Sequence, residues 1–222
     1  MLRSVVSTRP KDAYIRSGAP RMDLTSLIET HLDLPRLSKD LDEIGHAARV
    51  WSVRRWTRLD MSTLFDAAKG FRALTLDHFV PASTPALVEV IHDGKNSLPA
   101  HTYFDKRFCR PKAVTGTERL YGYNHHSLSA FSGAGYFVAH PSPEGGEVAI
   151  DYTVVPDAAP PGWPRIAPSQ AGFGRFVYGG MVDVMRGLST HVSIGRATID
   201  GRPVDRWFVL VRDDPRGPVP AS

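Results

Sequence analysis

The sequence predicts an α+β chain: amino-terminal helices, then an antiparallel, strongly curved sheet or β-barrel, with one further helix before a final hairpin. Three observations carry this. Apolar residues recur at helical spacing between positions 23 and 69, and short strand-like runs separated by turn residues follow from position 75. The stretch 191–212, HVSIGRATIDGRPVDRWFVLVR, then reads as two strands around Asp200-Gly201. Both turn residues tolerate the positive φ of a type I′ turn.

In chain order, 23–31 (DLTSLIETH) places Leu24, Leu27, Ile28 and His31 on one helical face. Pro35 separates it from a second helix carrying Leu37, Leu41 and Ile44, with Gly45 as its stop. The segment 47–59 (AARVWSVRRWTRL) fits either helix or strand. Its Trp51, Arg54, Arg55 and Trp56 are a candidate base-stacking patch, weighed against arginines that reach to solvent from a half-buried element. Residues 60–69 (DMSTLFDAAK) form a further helix with Met61, Leu64, Phe65 and Ala68 on one side.

Strands are expected at 87–92, 101–109, 118–124, 135–140 and 147–155, with Asp93-Gly94 as the first turn. The run 157–168, DAAPPGWPRIAP, is too proline-rich for helix or central strand and is expected to cross the molecule as a loop. Phe176, Val177, Met181, Val184 and Met185 lie on a helical stripe before the hairpin. Regularly spaced strands of this kind close into barrels or curved sheets. The expected organisation is a disordered tail at 1–21 and one domain over 22–222, helical at 22–74, barrel-like at 75–212 and frayed at 213–222.

Composition narrows the chemistry. Of 222 residues, 42% are hydrophobic and 23% charged, a globular balance, and the net charge of +4 is spread rather than gathered in a stripe, so no nucleic-acid partner is expected. No apolar run reaches membrane-span length and the leader lacks a secretory apolar core, which makes the cytoplasm the default location. The single cysteine, Cys109, excludes an intramolecular disulfide and a cysteine metal cluster. Gly94-Lys95 lacks the preceding glycine of a P-loop, and Gly133-Ala134-Gly135 lacks the helix of a dinucleotide fingerprint. Nine histidines show no HExxH or comparable spacing, so no motif requires a cofactor or metal. His191 is a candidate axial ligand only if haem is bound.

One constellation points to chemistry. If Val148, Ile150, Tyr152 and Val154 face the helices, Asp151 faces the barrel interior, where desolvation would suit it to acid–base work beside His140. Salt-bridging by Arg196 or simple exposure of Asp151 are the structural alternatives. Tyr121, Tyr123, Tyr136, Arg196 and Trp207 are the candidate ligand-binding side chains.

The stretches GAGYFVAHPS, GEVAIDYT and STHVSIGRATIDGRPVDRWFVLVR resemble the meandering sheet of lipocalin-like (calycin) β-barrels, over at most the last two-thirds of the chain. The resemblance implies an interior site for one small hydrophobic molecule, lipid-, polyketide- or pigment-like. The alternatives are an isomerase- or cyclase-type enzyme using acid–base chemistry in the same space, a haem-binding barrel, or an interaction protein using its helices.

Overall fold

The computed structural model describes residues 23–29, 32–99, 102–112, 116, 118–125, 135–166 and 179–213. The leader, the tail beyond 213 and Phe176 and Val177 of the expected stripe lie outside these residues. Eight antiparallel strands form a closed barrel in sequential order: β1 (Val90–Asn96), β2 (Tyr103–Cys109), β3 (Leu120–His125), β4 (Tyr136–Pro141), β5 (Val148–Asp151), β6 (Met181–Gly187), β7 (Val192–Ile199) and β8 (Arg202–Arg212). The final hairpin closes the wall: β8 pairs with β7 on one side and with β1 on the other, Gly94 opposite Leu210. Asp200 and Gly201 adopt φ of 50° and 75°, as a type I′ turn requires.

Four helices lie outside the barrel: α1 (Ser26–Glu29), α2 (Leu34–Glu43), α3 (His46–Val53) and α4 (Arg58–Ala67). Two of the starts have a local cause. Asp33 caps α2 by accepting from the Arg36 amide at 2.9 Å, and Thr57 and Asp60 form a reciprocal capping box on α4. The buried Arg49 of α3 donates to the Leu41 and Ile44 carbonyls and so satisfies the end of α2. The apolar faces, with Leu37, Leu41, Trp56, Met61 and Leu64, pack on Ile194, Trp207, Val209 and Val211 of β7 and β8. Trp56 is therefore core, Arg55 pairs with Asp23 at 2.8 Å, and Arg54 lies over the Tyr103 ring.

A second core fills the barrel with Phe108, Leu120, Phe137, Val148, Ile150, Tyr152, Met181, Met185, Phe208 and Leu210. A short helix, α5 (Leu76–Phe79), plugs one end. The Phe79 ring meets Phe108, and the Phe79 carbonyl accepts from His92 Nε2 at 2.9 Å. Arg212, at the end of β8, donates to the carbonyls of Asp77 and His78. Rings then run up the interior from Phe79 through Phe108 and Phe137 to Tyr152, with centroid spacings of 5.0, 5.1 and 5.4 Å.

Three expectations about elements are corrected. The expected helix before the hairpin is β6 over its described part. Met181, Asp183 and Met185 face inward while Val184 meets the helix layer, so both faces are covered and the strand's alternation is masked by apolar residues on each side. Asp93-Gly94 is not a turn but the middle of β1. The Lys95 ammonium, beyond it, donates to the Arg54 and Trp56 carbonyls and ties the helices to the wall. Over its described part, 157–166, the proline-rich run does not cross the molecule but lies along the outside of β2–β4, with Trp163 against Tyr123 and bonded to Glu89 at 2.6 Å.

The interior glycines have a shared purpose. Gly94, Gly122 and Gly195 sit opposite Phe104, Phe137 and Phe208 on neighbouring strands. A Cβ at these glycines would lie 2.6, 2.3 and 2.4 Å from those rings, so each ring rests on bare backbone. At Gly122 the added carbon would also meet the Arg107 carbonyl oxygen at 2.6 Å, which no ring rotation relieves. Gly122→Ala is expected to cost about 1–3 kcal/mol by urea denaturation. Gly45→Ala, whose Cβ meets nothing within 4 Å, is expected to stay within about 0.5 kcal/mol of the parent. Equal losses at the two positions would contradict the packing described.

Candidate functional site

Within the apolar barrel one polar cluster stands out, and its four members come from four strands or their ends. Lys106 lies mid-β2, Asn124 near the end of β3, Tyr152 just past β5 and Asp183 near the start of β6. All four point inward because each falls in phase with the inward apolar set of its strand: Phe108 with Lys106, Ile150 with Tyr152, Met181 and Met185 with Asp183.

The geometry closes on Lys106. Its Nζ donates to Asn124 Oδ1 at 2.9 Å, to the Tyr152 hydroxyl, and to Asp183 Oδ2 at 3.4 Å. Three acceptors match the three donors of an ammonium. The Tyr152 hydroxyl also accepts from Asn124 Nδ2 at 3.2 Å and donates to Asp183 Oδ2 at 3.1 Å. Lys106 and Asp183 are 2% and 3% exposed, so bulk water does not screen the pair. The rings of Phe104, Phe137, Tyr152 and Phe208 surround Nζ at 4.9–5.8 Å. Three of these are the rings that rest on the interior glycines.

Burial acts on both charges in the same sense. It pulls the Lys106 ammonium below its ordinary range, against the attraction of Asp183. It lifts the Asp183 carboxyl above its ordinary range, against Lys106 and the Tyr152 hydrogen bond. Both shifts favour moving one proton from lysine to aspartate, which leaves the net charge of the cluster unchanged. The cluster is thus a buried acid–base pair bridged by a phenol and held among apolar side chains.

A second buried group lies at the plugged end. His92 Nε2 faces a carbonyl, which accepts only, so that nitrogen carries the proton and Nδ1 is left bare and buried. Protonation would place a second N–H where nothing receives it, and desolvation lowers the His92 pKa to about 3. His78, whose ring centroid is 6.5 Å from that of His92, shifts the same way, and its Nε2 is buried although the residue as a whole is partly exposed.

The residues singled out from the sequence lie elsewhere. Asp151 is on the outer face of β5, where it accepts from the Thr153 amide and hydroxyl at 2.7 and 2.6 Å. The expectation of an inward Asp151 assumed that the apolar residues of β5 meet the helices; instead they fill the barrel, and the helices cover β7 and β8. His140 faces outward beside it and bonds the Pro141 carbonyl. Tyr121 packs in the outer cluster with Cys109 and Val138, while Tyr123 and Tyr136 pack around Trp163 on the same wall. Arg196 lies over the Trp207 ring, and Trp207 belongs to the helix-facing core. None of these side chains contributes to the interior cluster. His191 precedes β7, with Nδ1 3.4 Å from the Arg212 guanidinium. Among the described residues no group of three or more His, Cys, Asp or Glu side chains is placed to hold a metal ion. Nor, among them, is any helix long and apolar enough to cross a membrane.

Lys106 and Asp183 carry no motif. Lys106 stands in DKR and Asp183 in MVDVMR, where a charge reads as an outward residue. The available signal was phase: with the inward face taken as Phe104 and Phe108, the lysine between them must point inward too. No family model, curated protein or solved structure matches this chain.

Proposed function

We propose that the barrel binds a small, largely apolar molecule in its interior and that Lys106, Asn124, Tyr152 and Asp183 hold the polar end of that molecule. The observation that carries this reading is a mutually bonded polar cluster buried inside a largely apolar closed barrel. A buried ion pair is often no more stabilising than apolar side chains of equal volume, so stability alone does not account for it. The chemistry of the cluster also selects the ligand. Its net charge is zero, and a carboxylate or phosphate would confront Asp183. A neutral carbonyl or hydroxyl group is matched by the Lys106 and Tyr152 donors and the Asp183 acceptor. The eight-stranded meander is the architecture that lipocalin-like barrels use for such ligands, and kinship with them belongs to the same proposal.

The test is binding of the fluorescent neutral probe N-phenyl-1-naphthylamine to the full chain, with competition by 2-decanone, decane and decanoate. Saturable binding, displaced best by 2-decanone and weakened by Lys106→Met but not by Tyr121→Phe on the outer wall, is the expected result. An unsaturable signal, or one that Lys106→Met leaves intact, would overturn the reading.

An acid–base enzyme using the same interior cluster is the second reading. It is favoured by the Tyr152 bridge between a base and an acid that burial drives toward proton exchange. Its residues are then Lys106, Tyr152 and Asp183, in place of Asp151 and His140.

A further inference from the structure

We propose that Lys106 is a carbonyl-trapping nucleophile: its amine condenses with an aldehyde or ketone in the barrel to form an imine, with Asp183 and Tyr152 moving the protons. The inference rests on the small-molecule reading above and deepens it by naming the ligand's functional group and the bond it makes.

Three features of the interior support it. A lysine acts as a nucleophile only as the free amine, so its proton needs a nearby recipient. Asp183 Oδ2 stands 3.4 Å from Nζ, and the Tyr152 hydroxyl touches both groups. Burial of both partners lowers the lysine and raises the aspartate, so the transfer is favoured by the same desolvation that excludes water from the product. Water matters because an imine in water reverts to its carbonyl, and the Phe104, Phe137 and Phe208 rings around Nζ keep the site dry.

The steps balance. The Lys106 ammonium gives one proton to the Asp183 carboxylate, and the free amine attacks the carbonyl carbon while the Tyr152 hydroxyl passes its proton to the carbonyl oxygen and takes one in return from the attacking nitrogen. The C–N bond forms as the C–O π bond breaks, giving a carbinolamine. Proton return from Asp183 lets the hydroxyl leave as water, and the nitrogen lone pair completes a protonated imine. The sum is ammonium plus carbonyl giving iminium plus water, with Asp183 again a carboxylate. No oxidant, reductant or further reactant enters.

Lys95 and Lys39 are internal comparisons. Lys95 is committed to two carbonyls of the link between α3 and α4 on the outer side of the wall, and Lys39 is exposed beside Glu43. The experiment incubates the full chain with benzaldehyde at neutral pH, adds cyanoborohydride to fix any imine as a secondary amine, and locates the benzyl adduct by peptide mass mapping. The expected result is an adduct on Lys106 in at least about tenfold excess over Lys39, because burial favours the free amine there and the surrounding rings shield the imine from water. Asp183→Asn is expected to slow trapping at least about tenfold while the protein stays folded by circular dichroism. Mapping in the unaltered protein keeps the test decisive even if a Lys106 variant does not fold. Labelling confined to exposed lysines overturns the proposal. Reversible retention of benzaldehyde in native mass spectra without a fixed adduct overturns imine formation and leaves the binding reading standing. Absence of both retention and adduct overturns both.

Discussion

Asp183→Leu is expected to lower the unfolding free energy by about 3–5 kcal/mol at neutral pH, because it strands the Lys106 ammonium among aromatic rings without its counter-charge. Lys106→Met strands the carboxylate instead and is expected to cost a similar amount. The double variant, Lys106→Met with Asp183→Leu, is expected to lose clearly less than the sum of the two, since neither charge then remains buried. Urea denaturation of the four proteins closes the cycle. Strictly additive losses would show that the two side chains do not act as a pair. The pH dependence gives a second reading of the same contact. In Lys106→Met, Asp183 lacks its cation and its raised pKa makes the ionised form the costly one. The penalty is therefore present above the folded-state pKa and is relieved as pH falls through it toward the ordinary value of 3.8, where the unfolded chain is also protonated.

The second large effect is acid sensitivity set by His92. Its pKa falls from the ordinary 6.5 to about 3 on folding, so between those values the unfolded chain takes up a proton that the folded protein refuses. The contribution is full above pH 6.5 and is lost progressively as pH falls toward 3. At 1.36 kcal/mol per pKa unit the loss amounts to roughly 4–5 kcal/mol at the low end. His92→Gln removes the titrating group and is expected to flatten the dependence of stability on pH between 6.5 and 4, even if it lowers stability overall. A variant with the parent's slope would assign the acid sensitivity elsewhere. The physical cause is local. The ring is walled in by Phe79 and Phe108, its Nε2 is committed to the Phe79 carbonyl, and nothing receives a proton at Nδ1.

These two effects arise in one interior, where His92 of β1 stands opposite Lys106 of β2, and they also mark how far the sequence was legible. Helical periodicity at Leu37, Leu41, Met61 and Leu64 and the type I′ turn at Asp200-Gly201 rest on neighbours within a few residues, so both could be read locally. The strand at the start of β1 was equally visible, but Asp93-Gly94 misled. A glycine after an aspartate is a turn signal only when its backbone is free to turn, and here Gly94 is bare because the Phe104 ring from β2 lies on it. Met181, Val184 and Met185 misled for a related reason. A strand covered on both faces shows no alternation, and its apolar residues fall by chance on a helical stripe.

What the sequence by itself determined is the inventory: amphipathic helices first, then short antiparallel strands, a hairpin to close them, and no motif that demands a cofactor. What only the tertiary structure decided is which side of each strand is the inside. Alternation sorts a strand's residues into two sets but assigns neither to the interior, since that depends on where the helix layer lands. Here it landed on β7 and β8 and sent Trp207 and Arg196 outward. The same closure turned Asp151 and His140 out and brought Lys106, Asn124, Tyr152 and Asp183 together from residues 77 positions apart in the chain. The site is a product of barrel register, and no local pattern encodes it.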